Sequence, residues 1–111
     1  MKEKMKEIEI DLTDLVKPPF TYSIYGRDLG EIYALEKNLS DHVKNGDKII
    51  IKIDSEKVKA INDSFIKGFF CKIFEMLYTV SEVRKYFELK MCDEFKNLFE
   101  KNWIILESLN K

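Results

Sequence analysis

The sequence predicts an α/β domain: a four-stranded mixed sheet with helices packed against it, in the order β-β-α-β-α-β-α. Three observations predict it. Ile49, Ile50 and Ile51 form an unbroken β-branched run, as in a strand buried inside a sheet. From Ser64 to about Tyr78, Phe65, Phe69, Ile73 and Leu77 recur at i, i+4 spacing, with Ile66, Phe70 and Phe74 in the adjacent row. That is the broad apolar face of a helix. After the second strand, strand-like and helix-like segments alternate, which favours right-handed crossovers and parallel neighbours. The stretch from Lys48 to Leu77 therefore organises the rest.

The bulk properties agree. With 111 residues, 45% hydrophobic and 35% charged, the chain fits one domain (1–111) with a single core and a solvated surface. Looseness is expected only at the first residues, MKEKMKE. Acidic and basic residues are mixed along the chain at a net charge of -1, so no basic groove for nucleic acid is indicated. No apolar run approaches the roughly 20 residues that span a bilayer. Cys71 and Cys92 stand in no metal-ligand spacing, and no signal-peptide pattern opens the chain. A soluble, cytoplasmic protein with no membrane contact is the expectation.

In order, Ile8, Ile10 and Leu12 alternate with acids, the period of a half-buried strand. Pro18-Pro19 interrupts the ladder, and Phe20, Tyr22, Ile24 and Tyr25 resume it, which predicts an antiparallel pair with the prolines at its turn or edge. Asp28-Leu29-Gly30-Glu31 has capping-box spacing and opens a first helix running to about Lys44, where Asn45-Gly46-Asp47 stops it. Ile49–Ile53 is the strand expected to be covered on both faces. Residues 54–62 form a loop anchored by Val58, Ala60 and Ile61, and Asp63 or Ser64 caps the next helix. Thr79–Lys85 reads as a polar loop, and Tyr86, Phe87, Leu89 and Met91 as a short strand. A last helix begins at Cys92-Asp93, with a bend at Asn102-Trp103 left open.

Chemistry is sparse. The lone His42 sits near a helix end among Asp41, Lys44 and Asn45 and reads as a solvated side chain. No nucleophile–base grouping, paired-His motif, P-loop or dinucleotide fingerprint occurs, so no catalytic, metal or cofactor residue is assigned and an enzyme is not expected. Asp54 and Asp63 flank a loop and could in principle hold a cation, but loop acids are far more often plain surface residues. The Asn62-Asp63-Ser64 corner serves as a helix cap. It also leaves the Ser64 hydroxyl where a phosphoryl group would meet free N–H donors and the positive end of the helix dipole. On the wheel, Ser64, Gly68, Cys71 and Glu75 form a mostly small stripe opposite the Phe/Ile face, bordered by Lys67 and Lys72. A glycine there costs about 1 kcal/mol against alanine, which suggests a packing or approach reason such as a partner surface coming close; an ordinary solvent face that includes a glycine is the equal alternative.

The element order, Gly26 and Asp28 before the first helix, the apolar strand Ile49–Ile53 and the Asp63-Ser64 helix start together resemble the STAS domain of bacterial anti-sigma factor antagonists. They resemble most the STAS-like family of unassigned function, DUF4325, which favours a Ser-Phe pair such as Ser64-Phe65. Phe65 and Ile66 replace the small residue and first glycine of the antagonist motif. The resemblance implies a small regulator that binds a protein, its partner a GHKL-type ATPase or kinase, or a transcription regulator, with ATP belonging to the partner. It marks Ser64 as a phosphorylation candidate, and with the small stripe marks Asp63, Ser64, Lys67, Gly68 and Cys71 as partner-binding candidates. Two other readings stand beside it. One is a small-ligand or nucleotide-binding domain using Asp54 and Asp63. The other is a homo-oligomer, such as a homodimer, built through exposed aromatics such as Trp103 or Tyr22.

Overall fold

The computed structural model describes residues 6–110. The expected looseness of MKEKMKE falls mostly outside them; of its residues, Glu7 already opens the first strand and the Lys6 carbonyl accepts a hydrogen bond from Lys48 N–H at 2.8 Å.

The chain is α/β, but its strands form two small parallel sheets instead of one four-stranded mixed sheet. Strands β1 (Glu7–Asp11), β3 (Lys48–Lys52) and β5 (Phe87–Lys90) make a sheet in the order β1-β3-β5, parallel throughout. Strands β2 (Ser23–Ile24) and β4 (Ala60–Ile61) make a separate parallel pair. The antiparallel β1–β2 pairing expected from the sequence is therefore not formed. A 3-10 turn over Leu12–Leu15 carries the chain off β1, its start capped by Asp11, whose Oδ1 accepts from Thr13 N–H at 3.0 Å. The prolines do sit at a turn, closed by the Lys17–Thr21 bridge. That leaves only Ser23 and Ile24 for β2, and their neighbour is Ala60-Ile61, which the sequence reading placed in a loop.

Register explains the larger sheet. Strand alternation puts Ile8, Ile10, Ile49, Ile51, Phe87 and Leu89 on one face, against the helices. The reverse face carries Glu7, Glu9, Asp11, Lys48, Lys52, Glu88 and Lys90 around a single apolar residue, Ile50. Every helix contributes its buried apolar residues to the cluster holding Ile49 and Ile51, and Ile50 is outside that cluster. The expectation that β3 is covered on both faces is met, since Ile49, Ile50 and Ile51 are all buried in the central strand, but the two faces are covered differently. Ile50 is only 4% exposed because long charged side chains close over it, paired as Lys48–Glu88 (3.1 Å) and Lys52–Glu9 (3.5 Å).

The first helical stretch is two helices, α1 (Arg27–Glu36) and α2 (Leu39–Lys44). They break at Asn38, which takes a left-handed conformation (φ 55°) that asparagine tolerates better than most residues. Asp28 makes no capping bond, so the expected capping box is absent; Gly26 is the cap position. Helix α3 (Asp63–Leu77) is the amphipathic helix the sequence predicted, and it buries Phe65, Ile66, Phe69, Phe70, Ile73 and Phe74. Each such side chain gains about 1.5–3 kcal/mol on burial before ordering entropy. Thr79–Lys85, expected as a loop, is mostly helix α4 (Val80–Tyr86). Thr79 caps it by accepting from Glu82 N–H at 3.1 Å, and Val80 and Val83 are buried. Helix α5 (Asp93–Leu109) is one unbroken helix through Asn102-Trp103. Trp103 is buried rather than exposed, edge-on to Phe70 at 5.3 Å between ring centroids, so it offers nothing to an oligomer interface.

Candidate functional site

Two β–α units lie side by side: β2 leads into α1, β4 leads into α3, and the paired strands are parallel. Both helices therefore start at the same end, and the residues at that end tie the elements together. Asn62, not Asp63 or Ser64, caps α3. Its Oδ1 accepts from Phe65 N–H at 3.0 Å and also from Gly26 N–H, at the cap of α1, at 3.2 Å. One side-chain oxygen thus satisfies a free donor at the start of each helix. Asp63 turns the other way, towards α5. Its Oδ1 accepts from Asn102 Nδ2 at 3.1 Å and its Oδ2 from Lys101 Nζ at 3.4 Å. The Asn102 hydrogen bond, helped by the positive charge of Lys101, holds the Asp63 carboxyl below the usual aspartate range. Asn102 is itself fully buried, with its amide nitrogen also donating to the Leu98 carbonyl at 2.9 Å.

Of the corner residues, only Ser64 is exposed and makes no side-chain hydrogen bond among the described residues. It begins the outward stripe that continues through Gly68, Cys71 and Glu75. The close approach expected at Gly68 is made by this chain's own α1. A Cβ at Gly68 would overlap the Arg27 carbonyl oxygen, and one at Gly30 would lie 2.7 Å from Phe69 N. Gly68 is buried by that packing and is not a free surface for another molecule. Asp63 is likewise engaged, whereas Ser64 stays open and Lys67 and Cys71 stay partly so.

Beside the glycine contact, α1, α2 and α3 line a cleft of about 370 Å³. Its floor includes Ala34, Leu39, Phe69 and Ile73; its rim carries Arg27, Glu31, Asp41, Lys72 and Glu75. Arg27 and Glu31 pair across one helical turn at 3.1 Å. Cys71 faces the cleft with its Sγ donating to the Gly68 carbonyl at 3.4 Å. Burial, followed by the nearby Glu31 charge, pushes its thiol pKa up, which makes it a poor nucleophile. The cleft brings together two of the expected site residues, Gly68 and Cys71. Ser64, Lys67 and Asp63 lie further towards the start of the same helix. The sequence reading missed the opposite wall, which comes from α1 and α2. Leu35 was the available signal, a leucine in α1 that the structure leaves exposed.

The other titratable groups are structural. His42 is not simply solvated: its Nδ1 lies 2.9 Å from Oδ2 of the buried Asp47, which closes the turn between α2 and β3. Asp54 accepts from Glu56 N–H at 2.9 Å, the local turn bond of an aspartate, while its own N–H donates to Thr13 Oγ1. Among the described residues no group of three or more His, Cys, Asp or Glu could hold a metal ion, and no helix is long and apolar enough to cross a membrane. Comparison with family models, with curated proteins and with solved structures finds no match to this chain.

Proposed function

We propose that this chain is a small STAS-like regulatory module that works by binding a protein partner, an ATPase or kinase or a transcription regulator, at the open side of α3. The observation that carries this reading is the exposure of Ser64. The two residues before it are tied to α1 and α5, so the corner is rigid and its one free hydroxyl faces solvent. A rigid exposed corner beside a cleft suits docking. A phosphoryl group on Ser64 would sit at the positive end of the α3 dipole and change both charge and bulk there.

Capture from native extract with wild-type protein and with Ser64→Glu tests the reading. The expected result is one recurrent ATPase, kinase or regulator bound by wild type and lost with Ser64→Glu. Equal capture by both proteins would remove Ser64 from the interface. A second reading, a small-ligand domain, draws on the cleft volume, which lies within the range of small-molecule sites. A thermal shift with nucleotides or other small metabolites, abolished by Ala34→Trp in the cleft floor, would favour it.

A further inference from the structure

Helix α1 is apolar on two sides. Its inward side, Gly30, Tyr33 and Ala34, packs into the protein. Its outward side carries Ile32 at 54% and Leu35 at 69% exposure, with Leu29 at 37% beside them and Tyr25 at 56% just before the helix. These apolar side chains stand among charged ones on a face that a soluble helix usually keeps polar, and no described residue covers them. The acids along this face, Asp28 and Glu36, are exposed and make no ion pair among the described residues. Neither do Asp41 and Glu75, on the cleft rim that Leu35 joins to this face. The nearby cations are largely engaged: Arg27 pairs with Glu31, and Lys37 lies over the Tyr33 ring at 5.3 Å. Lys72, also on the cleft rim, makes no ion pair among the described residues.

We infer that the outward face of α1, together with the cleft rim, is a docking surface for a cationic amphipathic helix of a partner protein. This rests on the proposal that the chain binds a protein, and it places the principal contact on α1. Apolar residues at i, i+3, i+4 spacing on such a helix cover Ile32 and Leu35, and its lysines or arginines meet Asp28, Glu36, Asp41 and Glu75. A second copy of this chain is the poorer occupant. Antiparallel two-fold packing centred on Ile32 sets Asp28 against Glu36 of the other copy, and parallel packing sets each acid against itself. An anionic lipid surface is repelled by the same carboxylates.

The test uses the full chain and a labelled helical peptide of roughly 18 residues, built of leucine and lysine at that spacing, beside a twin with glutamate for lysine. Fluorescence anisotropy and backbone amide shifts read the binding. The leucine–lysine peptide is expected to bind and to shift α1 amides, and the glutamate twin to bind at least about tenfold more weakly. Ile32→Ser with Leu35→Ser should weaken binding at least about tenfold, whereas Ile104→Ser, on exposed α5 surface, should not change it. Asp28→Lys with Glu36→Lys should reverse the preference between the peptides. Equal affinity for the two peptides, shifts centred on α5, or binding unaffected by Ile32→Ser with Leu35→Ser would overturn the inference. So would a concentration-dependent dimer abolished by that pair, which would make a second copy the occupant. In the extract experiment, capture that survives Ser64→Glu but not Ile32→Ser with Leu35→Ser leaves the α1 surface standing and removes the Ser64 corner. The opposite pattern overturns the α1 surface alone.

Discussion

The α-carbon of Gly68 sits directly beneath the main-chain carbonyl of Arg27, so that no side chain fits between α1 and α3. The contact lies at the N-terminal end of both helices, near the Asn62 bridge, and the cleft lies beside it.

Gly68→Ala is therefore expected to destabilise the protein, although alanine is the better helix former by about 1 kcal/mol. The overlapping atom is main chain and cannot rotate away, so a loss of roughly 1–3 kcal/mol is expected from forced helix separation. Gly30→Ala, which meets Phe65 and Phe69 backbone, should behave alike. Urea denaturation measures both; a stabilised Gly68→Ala protein would show that α1 does not pack there.

Asn62→Ala should cost about 1–2 kcal/mol, the upper part of the range for a lost cap, because two N–H groups lose their acceptor. Asn62→Asp keeps an acceptor for both and should restore most of the stability. The same denaturation series checks the order wild type, Asp, Ala.

Asp63→Asn tests the acid limb of stability. The folded-state pKa of Asp63 is lowered from 3.8, so its ionised form stabilises the fold at all pH above that value. That contribution is lost as pH falls from 3.8 towards the lower folded value. Wild type should exceed Asp63→Asn at neutral pH by about 0.3–1 kcal/mol, since the group is partly exposed. The gap should close on acidification below 3.8. A constant gap from pH 7 to pH 2 would show that the carboxylate charge is not what stabilises.

The two faces of β3 should respond differently to truncation. Ile49→Ala and Ile51→Ala open cavities in the core and should cost about 2–5 kcal/mol. Ile50→Ala removes a side chain covered only by charged stems that can close in, and about 1–2 kcal/mol is expected. Raised salt should not widen the difference, because the ion pairs over Ile50 are surface pairs.

What was legible in the sequence follows the strength of local periodicity. The Phe65/Phe69/Ile73 face specifies α3 by itself, and Ile49–Ile53 specifies β3. Helix α4 was read as a loop, because two buried valines make a weak apolar signal in a polar run and the Thr79–Glu82 cap spacing was passed over. Pairing was not legible. Strands β2 and β4 have only two residues each and are aligned by α1 and α3 behind them, so nothing in Ser23-Ile24 names its neighbour. Burial of Ile50 was legible but its cover was not, because Ile50 looks the same in the sequence whether a helix or neighbouring Lys and Glu stems bury it. At the candidate site, the stripe on α3 was visible while its neighbour was not. Gly68 signals close approach, and only the three-dimensional path of the chain shows that α1 is what approaches.

The shared cap at Asn62 bears on how the protein opens. The first turns of α1 and α3 share one acceptor oxygen, which belongs to the α3 cap, so α3 cannot fray at Asn62 without also releasing the Gly26 donor of α1. The amides of Gly26 and Phe65, 39 positions apart in the chain, accordingly belong to one unit of local opening. Hydrogen exchange should slow and quicken at the two together, so that a molecule settling on α1 is registered at the start of α3 without touching it.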